Sequence, residues 1–430
     1  MAGGGEGNGW IKKLAGGGAL VAAATIGHKV LGHGGMPSWL HAALLGIGGL
    51  AVVFGSCEAM IKSVEGLGRR LGWNPFVAGT MAGLASNVPE IVMLGFVLAA
   101  APRVGFIVTC LTLHVGALAL GIYSGFLPRD ETGHARLPDA LVKISTDLFA
   151  AAAGVFLGAG LVMIMLRSFR AGDHAGEGLG VADLLVIGLA LLLVQVVAMV
   201  ELVRRFSGSA DKSAAGDAGA ASSEDPRSEG SVGSGDSAVP AAGAGEGSAV
   251  ERTASGADAK DPLPSWRAIA GYGAIGVVAS VIGGHAVGDF ADALVAGLAA
   301  RHYPEMVGAL LLSVFASAGA FAMIFTSHRR KMYDVALASA AGQVSQVPFV
   351  VLPVAMILLA VFAITKVIPT AASGSVLPID LETTSVVVLA FPPMLMLWKA
   401  IQDDGKVSWV ETAAMVCVFG IVVFLLAVHG

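Results

Sequence analysis

Residues 73–92 read WNPFVAGTMAGLASNVPEIV, and residues 302–321 read HYPEMVGALLLSVFASAGAF. Both are runs of small and apolar residues with a proline near the start, and they lie 229 positions apart. At that offset Pro75 falls on Pro304, Gly79 on Gly308 and, upstream, Gly55 on Gly284. The first run continues as apolar sequence to Ala100, long enough to cross about 30 Å of hydrocarbon. It carries Glu90 far from either end. A carboxylate at that depth costs several kcal/mol unless it faces a partner or a cavity, so it is a functional candidate before any name is attached.

The rest of the chain agrees with a membrane reading. Of 430 residues, 55% are hydrophobic and only 13% charged, about half the charged share of an average soluble domain. The 59 glycines have no three-residue period, which excludes collagen and fits helices packed closely in lipid. Cys57, Cys110 and Cys417 all sit in apolar runs without a CxxC pair, so neither a disulfide framework nor a zinc site is expected.

Ten apolar spans are expected, at roughly 40–62, 75–100, 104–126, 141–166, 179–203, 266–298, 306–326, 335–367, 383–398 and 409–428. Backbone groups in lipid must be satisfied within the segment, so the expected fold is an all-α integral membrane protein. A weaker span at 14–31 follows Lys12 and Lys13; an interfacial or disordered N-terminus is its alternative, and no small-residue cleavage site marks it as a signal peptide. The predicted organisation is an N-terminal segment at 1–37, a five-helix repeat at 38–205, a linker at 206–264 and a second five-helix repeat at 265–430. Five spans per half make the halves inverted with respect to one another, a plan common among secondary transporters.

The linker holds ten acidic and four basic residues and almost no large apolar ones. It is expected to be disordered, because it cannot bury enough surface to offset its ordering entropy. Its net charge of −6, against −5 for the chain, means that the acidity says nothing about a transport site. Lys62, Arg69, Arg70, Arg129, Arg136, Arg204, Arg205, Arg329, Arg330, Lys331, Lys399 and Lys406 share one side, which is expected to be cytoplasmic together with the linker. An inner or plasma membrane is the default location.

Around Glu90, Pro89 removes a backbone donor, and Ser86 and Asn87 add neutral oxygens. At the 229 offset Glu90 falls on Gly319, so the second half lacks a matching acid. Its polar residues come later, in AAGQVSQVPFVVLP: Gln343, Ser345 and Gln346. His114 falls on Gln343, and a symmetric site would bring Glu90, His114 and Gln343 to the bilayer midplane, with His114 carrying a proton or donating to Glu90. The candidate cation and proton site is thus Glu90, Asn87, Ser86, His114, Gln343, Ser345 and Gln346. For His114 and the glutamines, a structural hydrogen-bonding role is the equal alternative. Asp289 and Asp292, one helical turn apart, are candidates for an access vestibule. Pro392 and Pro393 are expected to kink the span at 383–398. No GxxxxGK[ST] loop is present, which argues against an ATP-driven pump.

Residues 55–92, GSCEAMIKSVEGLGRRLGWNPFVAGTMAGLASNVPEIV, resemble the first repeat of the cation/calcium exchanger superfamily, whose motif ends in GTSxPE; Ser86, Asn87, Pro89 and Glu90 occupy the motif here. Gly342, Ser345, Gln346, Phe349, Val350 and Pro353 are similar to the GSxxQ…FVxP pattern of the calcium/proton antiporter branch. Residues 402–424, QDDGKVSWVETAAMVCVFGIVVF, resemble the close of that branch through Asp404, Gly405, Lys406, Trp409 and Glu411. The resemblance implies a secondary antiporter, not an enzyme, that exchanges Ca2+ or a monovalent ion such as Na+ or K+ against protons or Na+ by alternating access. It implies no cofactor beyond the transported ions, and no partner beyond lipid and those ions; nucleic acid is not expected, and partners of the linker are unassigned. In the family one carboxylate per repeat binds the cation, so the absent acid at Gly319 puts Ca2+ in question. The alternative is a non-transporting, exchanger-derived membrane scaffold or regulator.

Overall fold

The computed structural model describes residues 9–31, 37–73, 75–137, 139–169, 178–206, 263–329, 331, 333–371, 374–402 and 405–429, most of them with their side chains. The expected disorder of the linker falls almost wholly outside these residues. The described residues are predominantly helical. In chain order the helices are α1 (Gly9–Leu31), α2 (Ser38–Leu71), α3 (Pro75–Ala100), α4 (Pro102–Ser124), α5 (Asp139–Phe169), α6 (Val181–Phe206), α7 (Trp266–Ala299), α8 (Glu305–Ala316), α9 (Ala318–Arg329), α10 (Tyr333–Gln346), α11 (Leu352–Ile364), α12 (Leu381–Val388), α13 (Phe391–Gln402) and α14 (Trp409–His429). Among the described residues, nine helical stretches are long and apolar enough to cross a membrane.

The tenth expected span, 306–326, is two helices, not one. It breaks at Ser317, where α8 ends and α9 begins. The span at 335–367 is continuous but passes through a π-helical turn, Val347–Val351, between α10 and α11. Pro348 and Pro353 have no N–H to give to the carbonyls one turn back, and the wider turn accommodates that loss. The span at 383–398 breaks between α12 and α13, immediately before the expected Pro392–Pro393 kink. Asp380 caps α12 by accepting from the Thr383 N–H at 2.9 Å. The weak N-terminal span is a 23-residue helix laid against α2.

Four short strands show how the halves are related. β1 (Ala135–Arg136), between α4 and α5, pairs antiparallel with β4 (Lys406–Val407), between α13 and α14. β2 (Leu179–Gly180), between α5 and α6, pairs antiparallel with β3 (Ser375–Leu377), between α11 and α12. Exchanging the halves turns one pair into the other. Helix packing obeys the same exchange: α4 packs on α14 as α11 packs on α6, while α2 on α7 and α5 on α13 map onto themselves. The fold is therefore two inverted five-helix repeats with one extra N-terminal helix.

The α2–α7 crossing depends on small residues. A Cβ on Gly49 would lie 3.0 Å from the Gly283 carbonyl oxygen, and one on Gly283 would lie 3.0 Å from the Gly49 carbonyl oxygen. Helices in lipid gain no hydrophobic drive from meeting each other, so such close approach supplies the packing. Each end of the bundle is also tied across the repeats. At one end Arg103, at the start of α4, pairs with Glu305 at the start of α8, with Asp380 Oδ2 at 2.6 Å and with Glu382 at 2.9 Å. At the other, Arg129 donates to the Val407 carbonyl at 3.0 Å and to Thr412 Oγ1 at 2.8 Å, and stacks 3.8 Å from the Trp409 ring centre. That second end also carries Arg69, Arg70 and Lys406.

Candidate functional site

The polar residues inside the bundle come chiefly from α3, α4 and α10. Asn87 and Glu90 are three residues apart on α3, hence on one face, and both are buried. Gln343, Ser345 and Gln346 on α10 are equally buried. One direct bond joins the repeats here: Asn87 Nδ2 donates to Gln346 Oε1 at 2.6 Å. The Gln346 amide nitrogen passes close to Gly83 and Gly342, 3.5 and 3.6 Å from where their Cβ atoms would lie. Both are ordinary contacts, so the two glycines frame the amide without crowding it.

Glu90 Oε1 is enclosed and accepts no hydrogen bond from the protein. A buried oxygen of this kind, with an amide network one turn away, is the donor set that a bare cation or a proton requires. Pro89 adds to it by having no N–H to give to the Ala85 carbonyl.

Of the two roles expected for His114, the structure shows the hydrogen-bonding one. It is 1% exposed, and its Nε2 lies 3.0 Å from the Val386 carbonyl oxygen. A carbonyl only accepts, so Nε2 carries a hydrogen; Nδ1 has no partner and does not donate to Glu90. The Val386 carbonyl is available because α12 ends there: the Ala390 N–H goes to Val387 instead. His114 thus satisfies a carbonyl released at the α12–α13 break. Gln343 is not brought to it either. Gln343 lies against Gly116, two residues and nearly half a turn from His114, with both polar atoms unpartnered. Ser345 Oγ donates within its own helix to the Gly342 carbonyl at 3.1 Å. The side chain of Ser86 lies outside the described residues. Of the expected set, the structure bonds Asn87 to Gln346, places Glu90 beside Asn87, and turns His114 and Gln343 to different faces of α4.

Gly319, at the position equivalent to Glu90, follows the hinge at Ser317. A Cβ there would lie 3.5 Å from Cys57 Sγ on α2. Ser317 Oγ is buried and unpartnered. Among the described residues no three His, Cys, Asp or Glu side chains cluster as a metal site would require. Gln195 was missed by sequence reasoning. It ends the buried stripe Leu184, Gly188, Leu191, Gln195 of α6, with neither amide atom bonded. A lone amide in an otherwise apolar span was the available signal.

Part of the chain is similar to one known family. Residues 269–428 match the family described as sodium/calcium exchanger protein. The matched segment lies within the second repeat. Over the whole chain the fold is similar to that of two solved ion exchangers. An H+/Ca2+ exchanger, CAX, superposes with a TM-score of 0.59 at 11% identity, covering 97% of this chain and 91% of that one. A Ca2+/H+ antiporter protein, YfkE, superposes with a TM-score of 0.57 at 14% identity, covering 97% and 98%. A search of curated protein sequences finds no match. With nine long apolar helices among the described residues arranged in this fold, the protein is a multi-pass integral membrane protein.

Proposed function

We propose that this protein is a member of the cation/calcium exchanger superfamily and a secondary cation antiporter in which Glu90 alternately holds a cation and a proton. The observation that carries the reading is the Glu90 carboxylate, buried in α3 with Oε1 free of any protein donor, one turn from the Asn87–Gln346 bond that joins the repeats. A fixed negative charge is untenable there, so the group must be neutralised by a proton or by a cation. Competition for one carboxylate couples the two fluxes, and rocking of the inverted halves exposes it to each side in turn.

The substrate class follows from ligand charge. CAX and YfkE are described as exchangers of Ca2+ against protons. Here Gly319 takes the repeat position that corresponds to Glu90, leaving one carboxylate among neutral amides. Divalent affinity rises with the number of anionic ligands, so we assign a monovalent cation, Na+ or K+, ahead of Ca2+. Asn87 and Gln346 serve as neutral partners, and the orientation places Arg69, Arg70, Arg129 and Lys406 in the cytoplasm.

Cation-driven proton flux in proteoliposomes with a trapped pH dye tests this, with Na+, K+ and Ca2+ added singly. We expect a response to a monovalent ion that Glu90→Gln abolishes. Wild-type flux in Glu90→Gln would sink the mechanism. No flux to any of the ions, from folded and inserted protein, would favour the non-transporting scaffold.

A further inference from the structure

The π-helical turn that follows Gln346 leaves a carbonyl without a donor. Gln346 ends α10, and Val347–Val351 form the turn. The Leu352 N–H, which an α-helix would give to Pro348, goes to the Val347 carbonyl instead. The next N–H in line would come from Pro353, which has none. The Pro348 carbonyl is thus deprived of both its α-helical and its π-helical donor, inside a buried turn.

A donor of the matching kind stands on α6. Gln195 is 5% exposed, and neither its Nε2 nor its Oε1 is bonded. The pairing of β2 with β3 sets the start of α6 beside the end of α11, so the two helices run antiparallel. α6 lies chiefly against α11 and the π-turn. The approach is close at Gly188, where a Cβ would lie 2.9 Å from the Pro353 carbonyl oxygen. Gln195 comes seven residues after Gly188 on the same buried stripe, about two turns further along α6. Seven residues back from Pro353 on the facing strand of helix is Gln346. Gln195 therefore stands at the level of Gln346 and the π-turn. The opposite face of α6, with Leu189, Leu193 and Val197, is exposed to lipid.

The turn is flanked by two amides. On one side Asn87 of α3 holds Gln346 at 2.6 Å, and on the other Gln195 of α6 is open at the level of an open carbonyl. A buried donor and a buried acceptor left open at one level call for an explanation, and pairing in a second conformation of the same elements supplies it. A π-turn suits such a change, because its hydrogen bonds have already slipped by one residue.

We propose that Gln195 is a positioning residue that acts on the Glu90 site through Gln346. The π-turn has two positions. Asn87 holds it through Gln346 in this conformation, and Gln195 holds it in the other by donating from Nε2 to the Pro348 carbonyl. Moving the turn to the second position takes the Gln346 amide off Asn87 and frees both for the ion. The inference deepens the antiport reading, and rests on it for the rocking that moves the turn.

The test is hydrogen–deuterium exchange of the turn amides in the purified full-length protein, read by mass spectrometry on peptides covering residues 343–354. Either hold alone protects the turn. Gln195→Met and Asn87→Ala singly are therefore expected to change its exchange less than about threefold, and together to raise it about tenfold beyond the product of the two. Asn87 and Gln195 share no bond, so a buried amide with only a local structural part would give additive effects. Pro353→Ala supplies the N–H that Pro348 lacks, and is expected to remove the excess. Additive effects, or an excess that persists with Pro353→Ala, would overturn the proposal. If the double variant does not fold, the triple variant with Pro353→Ala is expected to fold and to exchange as wild type; a triple variant that stays unfolded overturns the proposal as well. Exchange is read without ion flux, whereas the antiport mechanism is judged by flux in Glu90→Gln, so the two can fail separately.

Discussion

The second span of the first repeat and its counterpart in the second repeat start from the same pattern and end differently. α3 runs unbroken from Pro75 to Ala100, carries Pro89 inside it, and holds Asn87 and Glu90 on one face. Its counterpart breaks at Ser317 into α8 and α9, and presents Gly319 where Glu90 would be. The backbone plan is thus symmetric while the chemistry is not. Strand pairs and helix contacts survive exchange of the halves. The ionisable group does not. An inverted repeat needs symmetric packing to rock, but a site at the repeat interface needs only the ligands its ion demands.

The sharpest way to break this contrast is to restore the acid. Gly319→Glu would place its Cβ 3.5 Å from Cys57 Sγ, an ordinary contact, so the first atom of the side chain fits. We expect the variant to bind Ca2+ more than tenfold tighter than wild type, since the site gains a second carboxylate. Ca2+-driven dye response and direct Ca2+ binding both read this. Unchanged binding would mean that position 319 does not share a site with Glu90.

A smaller effect is expected at the bond between the repeats. Asn87→Ala or Gln346→Ala leaves one buried amide unpaired, at about 1–3 kcal/mol. A double-mutant cycle should give a coupling of about 1 kcal/mol or more in thermal stability, and a weaker cation response in each single variant. Full additivity would show that the bond does not hold the two helices together.

Smaller still is the contribution of the Arg103 cluster. Arg103→Gln leaves Glu305, Asp380 and Glu382 as three neighbouring acids. The groups are partly exposed and screened by salt, so a loss of about 1–2 kcal/mol is expected, readable as a lower Tm that added salt partly restores. The least effect is that of acid. Burial works against ionisation of Asp380, yet the Thr383 N–H and the Arg103 guanidinium outweigh it and hold the carboxyl below its usual range. A depressed value stabilises the folded state above the unfolded pKa of about 3.9, and that stability is lost as the pH falls through the folded value. Wild type should therefore lose Tm below about pH 4, and Asp380→Asn should lose less.

Nine of the ten expected spans, their inversion and the presence of an acid within a span were legible without coordinates, because apolar length and the position of a charge are local properties of the chain. Hydropathy does not report how a span is bent, so the break at Ser317 went unread, although Pro392–Pro393 announced the other one. Asn87 and Gln346 were both named from sequence, but nothing in their 259-residue separation indicated that they bond. His114 and Gln343 were placed together by the repeat offset alone. Helical phase overruled that: His114 faces α12, and Gln343 sits against Gly116.

By itself, then, the sequence determined that this is a two-repeat membrane protein with a single mid-span acid in its first repeat, since composition, span length and charge cost are written along the chain. Tertiary structure alone decided which polar groups meet: that Asn87 finds Gln346, that His114 serves the carbonyl released at the end of α12, and that Lys13 lies on Glu58. Those choices depend on the rotation of each helix about its axis and its register against its neighbours. Both are set by close packing of small residues spread over the whole bundle, not by any local signal.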